Sequence, residues 1–357
     1  MNWLIVMAGG YGERFWPMSR RKRPKQLLPI VSRRTMIQET VHRLRPLFDP
    51  ARTVVVTNRE QAALVRRQLP QVRHIIAEPV GRNTAPCVAL AAAFVGARDP
   101  EAVMAVVPAD SWIGDVTRYR QVVRDALDFA RRQPVLVTIG IQPVSPHTGY
   151  GYMQLGGKLE TRNSKSETKF WKAGRFVEKP DRATAEQFLA SGEYRWNAGM
   201  FVWSATAIVD AFRRHQPAML ESCQRIVRAK SFTRALAREY PRLEKISVDY
   251  AVMEKADNVV VAHGEFGWDD VGDWAALERH LPRGAGGNVT RGDVVDLDAS
   301  GCVVVTDPDH LVSAVGVQDL IIVHTADATL VCRKSDSQKV RELVRKLAAQ
   351  KKYRKHL

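Results

Sequence analysis

Apolar runs and helical stripes alternate through the first half of the chain. Positions 4–8, Leu-Ile-Val-Met-Ala, form an apolar run of strand length. Ile37, Val41 and Leu44 fall at helical spacing within positions 35–47. Positions 53–57, Thr-Val-Val-Val-Thr, read as a buried strand. Asn58 with Gln61 three residues later has the form of a capping box for the next helix. Short strands are expected at 74–77, 102–107 and 134–141. Between the last two, Tyr119, Val122, Val123, Ala126 and Ala130 share one helical face. This alternation predicts an α/β fold, a three-layer domain around a mostly parallel, mixed sheet. In such sheets ligands bind beyond the carboxyl ends of the strands. Positions 205–253 are helical in pattern, with Pro217 and Pro241 as breaks.

The pattern changes near residue 281. Positions 281–288, rich in glycine, form a linker. Beyond it, β-type runs begin at Asp293, Cys302, Leu311, Leu320 and Thr329, about every nine residues. They predict a small C-terminal β-rich unit, solenoid-like but too loose in period for a strict hexapeptide repeat. Ser335 is placed to cap a final helix with Val340, Leu343, Val344 and Leu347 on one face, and the basic tail 351–356 is expected to fray. The implied domains are 1–280, a linker 281–288, and 289–357.

Composition narrows the class. The 357 residues, 45% hydrophobic, suffice for one large domain and a small one. No apolar run reaches membrane-span length, and Met1-Asn2-Trp3 leads directly into the first strand, so no signal peptide is expected. The four cysteines, Cys87, Cys223, Cys302 and Cys332, form no C-x-x-C pair, which argues against a disulfide framework or zinc site. A cytoplasmic protein with no membrane partner is expected. The net charge of +16 suits anionic substrates, and an arginine-rich compositional habit explains it equally well. Basic residues are spread along helices and loops without a nucleic-acid module, so nucleic acid is not the expected partner.

Candidate chemistry concentrates after the first strand. Ala8 is followed by Gly9-Gly10-Tyr11-Gly12-Glu13-Arg14-Phe15-Trp16-Pro17-Met18-Ser19, and then by Pro24-Lys25-Gln26. Glycines let the backbone turn tightly and approach a ligand, and free N–H groups in such a turn make an anion site. Arg14 and Lys25 add cations. A dinucleotide-binding loop would need a third glycine opening a helix; Phe15-Trp16-Pro17 stands there instead. The form G-G-x-G-x-R-x-x-P-x-S followed by P-K-Q resembles the nucleotide-sugar pyrophosphorylases, and within them the mannose-1-phosphate guanylyltransferases. That resemblance runs from Leu4 to about Val344 and is densest before Trp274. It implies a Rossmann-like nucleotidyltransferase domain.

Further motifs fall at the expected strand ends. Glu78-Pro79-Val80-Gly81-Arg82-Asn83-Thr84 follows the strand ending at Ala77, with Thr84 in a helix-capping position. In the resembled family this segment lies by guanine and ribose. A carboxylate can accept from guanine N1 and N2, and an asparagine amide or backbone N–H can donate to O6. The resemblance implies nucleotide binding by Ala8, Gly9, Gly10, Gly12, Glu78, Arg82, Asn83 and Thr84, with Arg14 and Lys25 catalytic. It implies sugar-phosphate binding by Gly149 in Thr148-Gly149-Tyr150-Gly151, by Glu178 and Lys179 in Glu178-Lys179-Pro180, and by Asn197. Asp110, ending an apolar strand, and Asp270, in the W-x-D-V-G-x-W form, are the implied ligands of Mg²⁺ or another divalent cation. The polar stretch 158–169 is expected as a mobile excursion, and 247–255 matches the family without an assigned chemistry. The implied partners are GTP, α-D-mannose 1-phosphate, GDP-mannose and pyrophosphate; a homodimer is allowed. A guanylyltransferase for another sugar 1-phosphate, such as a manno-heptose, and a non-catalytic GTP- or GDP-mannose-binding regulatory subunit remain the alternatives.

Overall fold

The computed structural model describes residues 1–160 and 167–357. These form two compact units. The first comprises residues 1–9, 41–109 and 113–268; the second comprises 10–40, 110–112 and 269–357. No helix among the described residues is long and apolar enough to cross a membrane.

The first unit is built on nine strands: β1 (Asn2–Ala8), β2 (Thr53–Asn58), β3 (His74–Glu78), β4 (Val103–Pro108), β5 (Leu136–Ile141), β6 (Gly151–Leu159), β7 (Phe170–Glu178), β8 (Tyr194–Ser204) and β9 (Val259–Gly264). They pair in the order β3-β2-β1-β4-β8-β5-β9-β7-β6, with β6 also meeting β8. The run from β3 to β4 is parallel, as its strand–helix alternation requires. Antiparallel β8 then inserts between β4 and β5, so the sheet is mixed. Ile5, Val54, Val55 and Val56 are fully buried, as expected of parallel strands covered on both faces. The expected excursion, 158–169, starts in the last two residues of β6 and stops just before β7; positions 161–166 lie outside the described residues.

Helices connect these strands. They are α1 (Met36–Leu44), α2 (Ala62–Gln68), α3 (Thr84–Gly96), α4 (Val116–Arg132), α5 (Arg182–Ser191), α6 (Ala205–His215), α7 (Pro217–Arg228) and α8 (Phe232–Glu239). In α3 every residue from Ala85 to Val95 is buried, so α3 is a core helix rather than an amphipathic one. Pro217 does not merely break the helical stretch but opens α7, where its missing N–H is harmless. The expected capping box is absent: α2 starts at Ala62 without a side-chain cap. Asn58 instead donates from Nδ2 to the carbonyl of Gly9 at 2.6 Å, and Gln61 accepts from the Thr57 hydroxyl. A glycine carbonyl in a tight turn lacks a strand partner, and the asparagine amide supplies one.

The second unit carries β10 (Val289–Arg291), β11 (Val294–Leu297), β12 (Val303–Val305), β13 (Val312–Val315), β14 (Leu320–Thr325), β15 (Ala328–Arg333) and α9 (Val340–Ala349). Parallel pairing of β10, β12 and β14 stacks Val289 on Val303 and Val303 on Ile321, and β11 pairs in parallel with β13. This is the coil of a short β-solenoid. Its core includes Phe15, Trp16, Trp274, Val289, Val303, Ile321 and Val340. Two end details differ from expectation. A 3-10 turn, Lys334–Lys339, precedes α9, so Ser335 is not its cap. The tail does not fray: the carbonyl of His356 accepts from Trp16 Nε1 at 2.8 Å and from Arg20, while Asp327 meets Arg20 and His356.

Candidate active site

In the second unit the glycine turn is shaped around Lys25. Gly12 has φ +63°, and a Cβ there would collide with Lys25, so only glycine fits. The Gly12 carbonyl accepts from Phe15 N at 2.9 Å and Ser19 Oγ at 2.7 Å. Gln26 Nε2 donates to the Gly10 carbonyl at 2.8 Å. The fixed serine and glutamine of the motif therefore tie the loop down.

Lys25 is 4% exposed. Its Nζ donates to Asp110 Oδ2 and Asp110 O, both at 3.0 Å, and to Asp270 O at 2.5 Å. An ammonium has three donors, so all are committed. Lys25, Asp110 and Asp270, far apart in sequence, thus meet at one point. Arg14 is half-buried, and its Nε is buried without a hydrogen-bond partner among the described residues. An orphaned buried donor of this kind is unusual and asks for an acceptor.

Asp270 is held by its neighbours. Val271 is fully buried at φ +46°, a genuine outlier for a β-branched residue. Its N–H donates to Asp269 Oδ1 at 2.6 Å. Asp269 also accepts from Arg279 Nε at 2.6 Å and Nη2 at 3.1 Å, and His280 Nε2 lies 3.0 Å from it. Burial opposes ionisation of Asp269, but His280 and Arg279 hold it well below the usual carboxylate range. Asp269, a variable position of the motif, is therefore the anchor of the strained turn that presents Asp270.

The first unit holds the remaining motifs. Glu78 ends β3 and is 5% exposed. It accepts a hydrogen bond from the Tyr240 hydroxyl. Burial pushes Glu78 up to about 7, against the opposing pull of that bond. Gly9 lies beside it: a Cβ on Gly9 would sit 3.1 Å from Glu78 Oε2. Arg82 donates to the Pro241 carbonyl, leaving its Nε buried without a partner among the described residues. The helix cap is Asn83 rather than Thr84: at φ +67°, Asn83 accepts from Thr84 N at 2.9 Å. Thr84 Oγ1 is used elsewhere, accepting from Val248 N at 2.9 Å.

Glu178, Lys179 and Asn197 stand with a residue that sequence alone left unassigned. Asn197 Oδ1 accepts from Thr138 Oγ1 and Gly199 N, both at 3.1 Å. A backbone N–H can only donate, so the amide orientation is settled and Nδ2 donates to Asp249 Oδ1 at 2.8 Å. Burial and the Glu178 charge raise Asp249 to about 6, with the Asn197 bond opposing. Asp249 opens a π-helical turn, Asp249–Met253, a form frequent at functional sites. Lys179 is at φ +49° and bonds Glu178 at 2.7 Å. Gly149 is exposed, its N–H bonded to His147 Nδ1 at 3.1 Å. Gly151 makes the closer approach: a Cβ there would lie 2.5 Å from Glu178 Oε2. Tyr150 packs edge-on to Trp196 and Trp268.

The segment 246–249 joins these groups, since Ile246 O accepts from Ala85 N at 3.1 Å, Val248 N binds Thr84, and Asp249 binds Asn197. Asp249 and Tyr240 were findable only as polar residues inside otherwise helical runs, a weak signal.

A mixed α/β sheet with a glycine turn, a buried lysine and two carboxylates after strand ends is the architecture of a nucleotide-handling transferase. Residues 4–283 match the nucleotidyl transferase family, and residues 292–347 match the MannoseP isomerase/GMP-like beta-helix domain. A mannose-1-phosphate guanylyltransferase of Klebsiella pneumoniae is 40% identical over 362 residues, covering 99% of this chain and 75% of that protein. The xanthan biosynthesis protein XanB of Xanthomonas campestris pv. campestris is 38% identical over 348 residues, covering 95% of this chain and 72% of that protein. A solved structure from Thermus thermophilus, described as a mannose-1-phosphate geranyltransferase, is 38% identical with TM-score 0.87. It covers 97% of this chain and 99% of that chain. The chain belongs to the nucleotidyl transferase family and, within it, to the mannose-1-phosphate guanylyltransferases.

Proposed function

We propose that this chain transfers GMP from GTP to α-D-mannose 1-phosphate, giving GDP-mannose and pyrophosphate. The observation that carries this reading is the meeting of Lys25 with Asp110 and Asp270 beside the glycine turn. The attacking phosphate oxygen is ionised at neutral pH, so no general base is needed. It attacks the α-phosphorus in line, the bond from the α-phosphorus to the bridging oxygen breaks, and pyrophosphate leaves. The chain's task is to hold two polyanions together and to stabilise developing charge.

Arg14, whose buried Nε lacks a partner among the described residues, supplies a cation to the triphosphate. Lys25 releases Asp110 to donate to the α-phosphate and the departing pyrophosphate. The Gly9–Gly12 backbone, with Ala8 before it, cradles the triphosphate. Glu78, Arg82, Asn83 and Thr84 take the base and ribose. Gly149, Glu178 and Asn197 take the sugar hydroxyls, and Lys179 the sugar phosphate.

Among the described residues no three His, Cys, Asp or Glu gather as a ready-made metal cage. Asp110 and Asp270 are two carboxylates, and Mg²⁺ is commonly held by one or two carboxylates with water and substrate phosphates, so the donor set fits it. Bound there, Mg²⁺ would offset phosphate charge as a Lewis acid.

The test of this reading is base selection with mannose 1-phosphate as acceptor. A site built on buried hydrogen bonds rejects a base that leaves them unpaired. GTP should be used much faster than UTP or ATP, and equal kcat/KM for GTP and UTP would overturn it. The two lysines should also separate. Lys179→Met keeps most of the apolar stem and removes the charge. It should raise KM for mannose 1-phosphate by about tenfold or more, the scale of one lost charge-assisted hydrogen bond. A rise confined to KM for GTP would move Lys179 to the nucleotide.

A further inference from the structure

We infer that Tyr240 is a positioning residue for base selection, whose hydroxyl sets the Glu78 carboxylate to accept both donors on the guanine edge. The inference rests on the reading of 78–84 as the base-binding segment. Tyr240 opens a single 3-10 turn, Tyr240–Arg242, directly after α8. Its side chain is fully buried in the main core of the first unit. A phenol in that setting needs a polar partner, and it finds Glu78 Oε1. The next residue repeats the attachment, because the Pro241 carbonyl accepts from Arg82. Two adjacent residues therefore grip the base segment at its carboxylate and at its arginine.

The grip leaves Glu78 usable. Each carboxylate oxygen has about two lone-pair sites, so Oε1 can accept from Tyr240 and from a ligand together. Oε2 is turned toward Gly9. Without the hydroxyl, a carboxylate this deeply buried would lose a donor that favours its charged form. The other titratable groups beside the pair are Cys87 and Cys223, thiols that burial keeps protonated. Ionised Glu78 accepts from guanine N1–H and N2–H; protonated Glu78 turns a donor toward a donor. GTP binding should therefore strengthen as pH rises through about 7 and then level off. Loss of the Tyr240 hydroxyl should move that midpoint upward. A more acidic phenol, which donates more strongly, should move it downward.

The experiment compares kcat/KM for GTP and ITP, which lacks the N2 amino group, over roughly pH 6 to 9. It uses the wild-type chain, Tyr240→Phe, Glu78→Gln and a chain with 3-fluorotyrosine at position 240. Tyr240→Phe preserves the packing of the ring. It should reduce the preference for GTP over ITP by about fivefold or more, on the scale of one weakened hydrogen bond. It should also raise the pH midpoint for GTP while KM for mannose 1-phosphate stays unchanged. The fluorinated chain should shift the midpoint the other way, and it answers the question even if the phenylalanine variant does not fold. If Glu78→Gln loses the preference while both Tyr240 variants keep the wild-type ratio and midpoint, Tyr240 only packs and the inference fails. If Glu78→Gln also keeps the wild-type GTP/ITP ratio, the base-binding reading has failed and the inference falls with it.

Discussion

Replacing Asp270 with Asn should lower turnover by about 10²-fold or more, the scale of lost transition-state electrostatics. The substitution keeps shape and removes a charge, so the fold should persist. Asp110→Asn should act in the same way, because Lys25 brings the two residues to one point. Titration of activity with Mg²⁺ should show that both variants need a higher Mg²⁺ concentration than wild type, because a charged ligand is lost. Asp269→Asn is the informative control. Asp269 is 7% exposed and accepts from Arg279 and Val271. Its loss should cost about 1–3 kcal/mol of folding stability through weakened charged hydrogen bonds, read by thermal melting. The Mg²⁺ dependence of Asp269→Asn should stay near wild type. Wild-type rates from Asp270→Asn, or a metal defect confined to Asp269→Asn, would reassign the ligand.

Lys25→Met should be comparably severe and should fall on kcat. Lys25 is 4% exposed, and its three donors are all engaged by Asp110 and Asp270. In the proposed reaction, removing the ammonium withdraws a cation from the α-phosphate and the departing pyrophosphate, where charge grows in the transition state. The expected loss is about 10²- to 10³-fold in kcat, with little change in KM for mannose 1-phosphate. Steady-state kinetics with each substrate varied in turn separates this from Lys179→Met, whose loss should appear in KM. A Lys25→Met protein with normal kcat and a raised KM for mannose 1-phosphate would place Lys25 on the sugar side.

The fold class was legible because burial leaves a local record. Continuous apolar runs at 4–8 and 53–57 mark strands covered on both faces, and the 3.6-residue spacing from Tyr119 to Ala130 marks one buried helical stripe. The short β runs after residue 288 predicted the solenoid-like unit for the same reason. Capping was less legible. Asn58 and Gln61 have capping-box spacing, yet Asn58 binds Gly9 and Gln61 binds Thr57. Thr84 has a capping side chain, yet Asn83 performs that role. A short polar side chain can satisfy either its own helix or a distant backbone group, and local spacing does not distinguish the two.

Sequence alone indicates the residue types of the proposed site: a glycine turn with Arg14 and Lys25, Asp110 after an apolar strand, and Asp270 in the W-x-D-V-G-x-W form. Those choices are local, because a tight turn needs glycine and a phosphate needs cations. Which of these residues meet, and what holds them, follows from the folded chain. Lys25 lies across Asp110 and Asp270 because strand pairing and loop packing bring distant segments together, and no local pattern records that distance. Asp269, Asp249 and Tyr240 became visible for the same reason. Each is a buried polar group whose partner is met through the folded chain, and burial makes that partner obligatory.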